Sequence, residues 1–212
     1  MWPLLKDGIR TTILRPGDLR RLRRFGYSSI LSDCPSLRFV FSNRDVFPEL
    51  PPDDSADATA GQAIAKWLCS PRPDGVPKVL KFCIEFNEEE WPSQINGLIT
   101  AFSTASSRVN FIIVICNSSD YAFIVPFDLT NELTGQRTLK RAKNNQKILL
   151  IRCPISRDEN KWTNWENEAI ELNYKELWNK IHIAIVEEEI GEVLSMALPT
   201  QVISVNEWFR SV

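Results

Sequence analysis

A single histidine, His182, stands in the whole chain, so the commonest general base at neutral pH has one place to act. Glycine is scarce, with 8 in 212 residues, and Gly61, Gly97 and Gly191 stand apart from one another. Neither a G-x-x-x-x-G-K-[ST] loop nor a G-x-G-x-x-G cradle for phosphate can be assembled from them. The five cysteines (Cys34, Cys69, Cys83, Cys116 and Cys153) are odd in number and hold no C-x-x-C pair. That pattern argues against a zinc site and against a disulfide framework, and the thiols read as small core residues in a reducing compartment. No apolar run approaches the length of a membrane span, and MWPLLKDGIR lacks the apolar stretch and cleavage pattern of a secretory signal. The expectation is a protein of the cytosol or nucleus with no membrane partner.

What is present is an ordinary globular composition, 43% hydrophobic and 25% charged, with a net charge of -2. The charge is unevenly spread. Residues 1–25 carry Lys6, Arg10, Arg15, Arg20, Arg21, Arg23 and Arg24 against Asp7 and Asp18. The stretch 158–192 holds Glu166, Glu168, Glu171 and Glu176, then Glu187, Glu188 and Glu189, so the two ends can face different partners or each other.

Along the chain, Asp18 is placed to cap a short basic helix over 18–25, with Leu19, Leu22 and Phe25 at helical spacing. Leu37, Phe39 and Phe41 then alternate as in a half-buried strand. A proline-rich acidic loop, VFPELPPDDSADA, fills 46–58. Thr59 and Gln62 match a capping box, and Ala60, Ile64, Trp67 and Leu68 share one face of the helix that follows. Pro71 and Pro73 end that helix, Asp74-Gly75 marks a turn, and VLKFCIEF alternates, with Leu80, Phe82, Ile84 and Phe86 opposite Lys81, Cys83 and Glu85. The stretch WLCSPRPDGVPK thus reads as a joint. A second unit repeats the grammar: Pro92 opens a helix, Ile95, Leu98, Ile99 and Phe102 form its stripe, and VNFIIVIC follows as a central strand.

Beyond residue 120 the segments AFIVPFDL, QRTLKRA and KILLIRC, separated by TNELTG and KNNQ, predict an antiparallel meander. KWTNWENEAIEL sets Trp162, Trp165, Ala169 and Leu172 on one helical face, and KIHIAIV reads as a last strand. The predicted fold is α/β (α+β): irregular helix–strand repeat units followed by an antiparallel strand meander with one packed helix. The divisions are a basic helix–strand portion over 1–45, the loop over 46–58, an α/β interaction domain over 59–192 and a tail over 193–212.

Candidate chemistry is thin. His182 lies on the strand face opposite Ile181, Ile183 and Ile185, beside Lys180, and reads as a sheet-face histidine. A Cys153–His182 nucleophilic pair is the catalytic alternative, yet no Gly-rich elbow or oxyanion turn accompanies it. Asp53, Asp54 and Asp57 lack the spacing of a calcium loop and read as acids near a helix N-terminus. Glu166 and Glu168 are two apart on a helix and do not converge. No catalytic, metal or cofactor-binding residue is assigned, and no cofactor is expected. Trp67, Trp162 and Trp165 fall on apolar faces and read as core, whereas Trp2 and Trp208 near the ends are freer to be exposed. Arg20, Arg21, Arg23 and Arg24 raise a nucleic-acid reading, without the interleaved aromatic platform such surfaces use.

The run FPELPPDDSADATAGQAIAKWLCSPRPDGVPK is followed in order by SRVNFIIVIC, VPFDLTNELTGQRTLKR and LLIRCPISRDENKW with its WENEA continuation. Over residues 34–192 this order resembles an expanded family of F-box proteins of plant-parasitic nematodes. The resemblance implies that such a region follows an F-box, which docks on the Skp adaptor of a cullin-RING ubiquitin ligase, and that it faces the substrate. The chain departs from the pattern at its start, because MWPLLKDGIRTTILRPGDLRRLRRF is too short and too basic for an F-box. A Skp-type partner is therefore expected only with an F-box upstream. The expected function is a non-catalytic protein-interaction module recruiting a substrate protein. The alternatives are a nucleic-acid-associated protein using the arginine helix and a cysteine-dependent hydrolase. The N-terminal portion is expected to leave a strand at the sheet edge.

Overall fold

The helix after the acidic loop shows how local chemistry sets an element. Thr59 sits in extended backbone, its hydroxyl accepts from the Gln62 N–H at 3.0 Å, and Gln62 Oε1 accepts from the Thr59 N–H at 2.9 Å. This reciprocal box starts α1 (Ala60–Leu68), which buries Ala60, Ile64, Trp67 and Leu68 as the spacing predicts. Replacing Thr59 by Ala should lower stability by about 1 kcal/mol. The check is a lower urea midpoint at unchanged slope, and an unmoved midpoint would mean the box holds nothing. The computed structural model describes residues 8–13, 17, 31–42, 47–84, 91–117, 126–142, 147–172, 180–183 and 203–204.

The joint after α1 is tied down by its own polar groups. Arg72 Nη1 donates to the carbonyls of Ser36 and Leu37, each at 3.2 Å, while its Nε and Nη2 hold Asp74. Gly75 takes φ 68, and its carbonyl accepts from Asn110 Nδ2 at 2.9 Å. WLCSPRPDGVPK is therefore helix end, turn and strand start, with its arginine spent on packing two loops together.

Among the described residues, nine strands form one sheet: β1 (Thr11–Ile13), β2 (Phe39–Ser42), β3 (Lys78–Ile84), β4 (Phe111–Asn117), β5 (Phe127–Asn131), β6 (Gln136–Ala142), β7 (Lys147–Pro154), β8 (Lys180–Ile183) and β9 (Ile203–Ser204). Their order is β5-β6-β7-β4-β3-β2-β1-β8-β9. From β8 through β1, β2 and β3 to β4 the pairing is parallel, whereas β5, β6 and β7 form an antiparallel meander that joins at β4. β9 runs antiparallel to β8. Helix–strand units followed by a meander with one packed helix describe the molecule, as the sequence predicts. Helix α2 (Trp91–Ser103) joins β3 to β4, and α3 (Glu159–Glu171) follows β7.

Both faces of the sheet are covered. On one, Val40, Leu80, Phe82, Ile113, Ile115, Ile148 and Leu150 pack with Ile64, Trp67 and Leu68 of α1 and Ile95 of α2. On the other, Phe39, Phe41, Val79, Ile112, Val114, Leu149 and Ile151 pack with Trp162, Ala169 and Ile170 of α3. β4 lies between β3 and β7, and Ile112 to Ile115 are wholly buried, which is why its sequence is a continuous apolar run. Helix α3 is capped by Asp158, whose carboxylate accepts from the N–H groups of Asn160 and Lys161. Lys81 and Lys147 reach its other end and donate to the Ile170 carbonyl, Lys81 also to that of Leu172. Arg38 binds Glu168 through two parallel bonds of 2.9 and 2.6 Å, fastening α3 to the start of β2.

Two expectations need correction. β2 is not half-buried: all four residues are buried, with Val40 in one core and Phe39 and Phe41 in the other, because the strand is internal to the sheet. The N-terminal strand is not an edge either, since β1 lies between β2 and β8, and the terminal strands of the sheet are β5 and β9. β1 and β2 thus share one sheet with β3 to β8. The predicted helix over 18–25 with Arg20, Arg21, Arg23 and Arg24, the run Glu187, Glu188 and Glu189, and the ends bearing Trp2 and Trp208 lie outside the described residues. Among those described, no helix is long and apolar enough to cross a membrane.

Candidate functional site

The apolar stripe of α2 is only partly covered. Ile95 and Phe102 are buried, while Leu98 and Ile99 stay half-buried where α2 faces the meander. There the helix and the sheet enclose a groove with a cavity of about 40 Å³, walled by Leu98, Ile99, Phe102, Phe127 and Leu150, with Arg152 and Thr138 as its polar contributors.

A polar clamp holds the groove open at one end. Asn131, buried at the end of β5, donates through Nδ2 to the carbonyls of Phe102 and Ala105 at 2.7 and 3.1 Å, which fixes the C-terminus of α2. Gln136, buried at the start of β6, bonds both the N–H and the carbonyl of Val109, at 3.1 and 2.7 Å. Its Oε1 also accepts from Arg152 Nε at 2.9 Å, and Arg152 Nη2 donates to the Ser107 carbonyl at 2.8 Å. The guanidinium lies 5.3 Å from the Phe102 ring centroid. Arg152 is only 6% exposed and forms no ion pair among the described residues. Burial pulls its pKa below the ordinary guanidinium value. Its Nη1 makes no hydrogen bond to a described residue, and the side chain lines the groove.

At the tip of the adjoining turn Leu133 is 80% exposed, with Gly135 at φ 63 completing the bend. The Gly135 carbonyl accepts from the N–H of Ile155, the other large apolar side chain left exposed among the described residues. No family model, curated protein or solved structure matches this chain. The chemistry of the groove is read from its own side chains.

The residues singled out in the sequence are dispersed. Cys153 is fully buried, burial pushes its thiol pKa up, and its sulfur accepts from Arg157 Nη1 at 3.5 Å. The strand bearing it and the strand bearing His182 are five inter-strand steps apart, roughly 24 Å, so they form no nucleophilic pair. The His182 side chain itself is outside the described residues. Asp53 turns back on Ser55, and Asp54 accepts from Ser32. No group of three or more metal-ligating side chains occurs among the described residues. Glu166 and Glu168 diverge as expected, Glu168 to Arg38 and Glu166 inward to Arg157 and Arg141.

Lys78 is also buried; its ammonium donates to the Trp67 carbonyl and to Ser70, and burial lowers its pKa to about 8. It secures the end of α1. The groove residues Asn131, Gln136 and Arg152 were not singled out in the sequence. The available signal is an arginine within the apolar run ILLIRC.

Proposed function

We propose that this chain is a non-catalytic protein-interaction module that binds an apolar partner segment bearing one carboxylate, seated on Arg152 in the α2–meander groove. The observation that carries this is the groove itself: a nearly buried guanidinium with no ion pair among the described residues, set among half-buried Leu98, Ile99 and Phe127. Such a cation pairs strongly with a carboxylate where water is excluded, and arginine and large apolar side chains dominate protein recognition sites. Leu133 and Ile155 extend the apolar surface nearby. The motif order over 34–192 adds the wider reading, the substrate-recruiting region of an F-box-like ubiquitin-ligase adaptor acting in the cytosol or nucleus.

Fluorescence anisotropy with two degenerate peptide pools tests the groove. Both carry Leu, Ile or Phe around one fixed position, which is Glu in one pool and Gln in the other. The Glu pool should bind at least about tenfold tighter, the ratio of a single charge-assisted contact. Ile99→Asp should abolish that preference while leaving the thermal melt intact. Equal binding of the two pools by the unaltered chain removes this reading. For the adaptor, the 5′ end of the transcript decides: a frame extending into an F-box, whose product co-purifies with a Skp-type protein, supports it, and a frame opening at Met1 leaves only the interaction module.

A further inference from the structure

β3 and β4 pair in parallel, and their register sets Cys83 directly opposite Cys116. Neighbouring strands lie about 4.8 Å apart, inside the Cα separation of roughly 4.4–6.8 Å that a disulfide spans. In-register residues also project to the same side of the sheet. The Cys83 thiol is near enough to Cys116 to raise its pKa. Cys83 is exposed and Cys116 half-buried, so a small reagent meets one sulfur first and finds the other behind it. Lys147 stands opposite Cys116 on the next strand, and Lys81 precedes Cys83 by one alternation on the same face. Both ammonium groups favour the Cys116 thiolate, against burial and the neighbouring thiol, which push its pKa up.

We infer that Cys83 and Cys116 form a dithiol modification site that a hydroperoxide closes to an intrachain disulfide. The Cys83 thiolate attacks the peroxide, the O–O bond breaks, and hydroxide (or an alkoxide) leaves, which makes Cys83 a sulfenic acid. The Cys116 thiolate then attacks the Cys83 sulfur, the S–S bond forms, the S–O bond breaks, and hydroxide takes up a proton to leave as water. The two thiols together lose two electrons and two protons, and hydrogen peroxide becomes two waters. In a reducing compartment such a bond is transient and reports oxidant. It closes the loop that carries α2, one wall of the groove, and so couples the oxidation state to that helix. The buried Cys34 and Cys153 lack this access.

The test treats the reduced full chain with hydrogen peroxide, blocks free thiols with N-ethylmaleimide and maps peptides without reductant. The expected product is a Cys83–Cys116 linked peptide that dithiothreitol dissolves. Cys116→Ser should instead trap sulfenic acid on Cys83, with dimedone labelling raised at least about tenfold over the unaltered chain. Cys83→Ser should remove both products, with circular dichroism confirming the fold of each variant. The inference falls if the unaltered chain gives dimedone-labelled Cys83 without the linked peptide, if the link joins other cysteines, or if neither thiol reacts.

Discussion

Glu166→Ala should lower the melting temperature by about 6–12 °C. The carboxylate is fully buried on α3, with Oε1 accepting from Arg157 Nη1 at 3.2 Å and Oε2 paired with Arg141. Removing one partner of a buried ion pair costs about 3–5 kcal/mol, chiefly because the other charge stays enclosed and unpaired. The lower end applies here. Arg157 keeps Glu159 through its Nε and Nη2, and the Arg141 side chain is 40% exposed. About 3 kcal/mol at roughly 2–4 °C per kcal/mol gives the stated shift for a chain of this size. Pairing Glu166→Leu with Arg141→Leu should restore part of the loss, since an apolar pair replaces the ionic one. A drop below about 1 kcal/mol for Glu166→Ala would show that the guanidinium groups do not depend on it.

Gly61→Val should cost about 3 kcal/mol, whereas Gly97→Ala should gain about 0.5–1 kcal/mol. Both glycines lie in helices, and their surroundings differ. A Cβ at Gly61 would stand 2.6 Å from the Phe47 carbonyl oxygen and 2.6 Å from Glu49 Cγ, so the loop over 47–49 must shift. A backbone oxygen cannot swing aside as a side-chain end can. At Gly97 nothing lies within 4 Å, and the only consequence is a better helix former in the middle of α2. Urea unfolding of the two variants reads the opposite signs directly. A stable Gly61→Val protein would show that the 47–49 segment does not rest on α1.

What was readable in the sequence is what depends on near neighbours. The Thr59–Gln62 box, the stripes of α1 and α2 and the turn at Gly75 all rest on groups within a few residues of each other. Strand β4 announces itself by the apolar run FIIVIC. The burial of Glu166 has the opposite origin. It stands four residues after Trp162, on the apolar side of α3, and only the tertiary fold brings Arg141 and Arg157 against it. The burial of β2 on both faces follows from its place between β1 and β3, and alternation within the strand carries no information about that place. The stripe Ile95, Leu98, Ile99 and Phe102 was visible, but the gap it leaves against the meander depends on where Asn131 and Gln136 hold the end of the helix. The facing of Cys83 and Cys116 is a register between two strands, a relation that neither strand contains alone.

The position of β1 has a consequence for how the chain is made. Thr11 pairs with Phe39 on one side and with Lys180 on the other. As the polypeptide leaves the ribosome, the first flank is filled by β2 within about thirty residues, and the second waits for β8, about 170 residues beyond β1. Pairing across such a separation is slow to form, and an open strand flank invites association with other chains in the meantime. β8 closes the flank that β2 leaves open on β1, and a ribosome that halts between β2 and β8 releases a product with that flank bare.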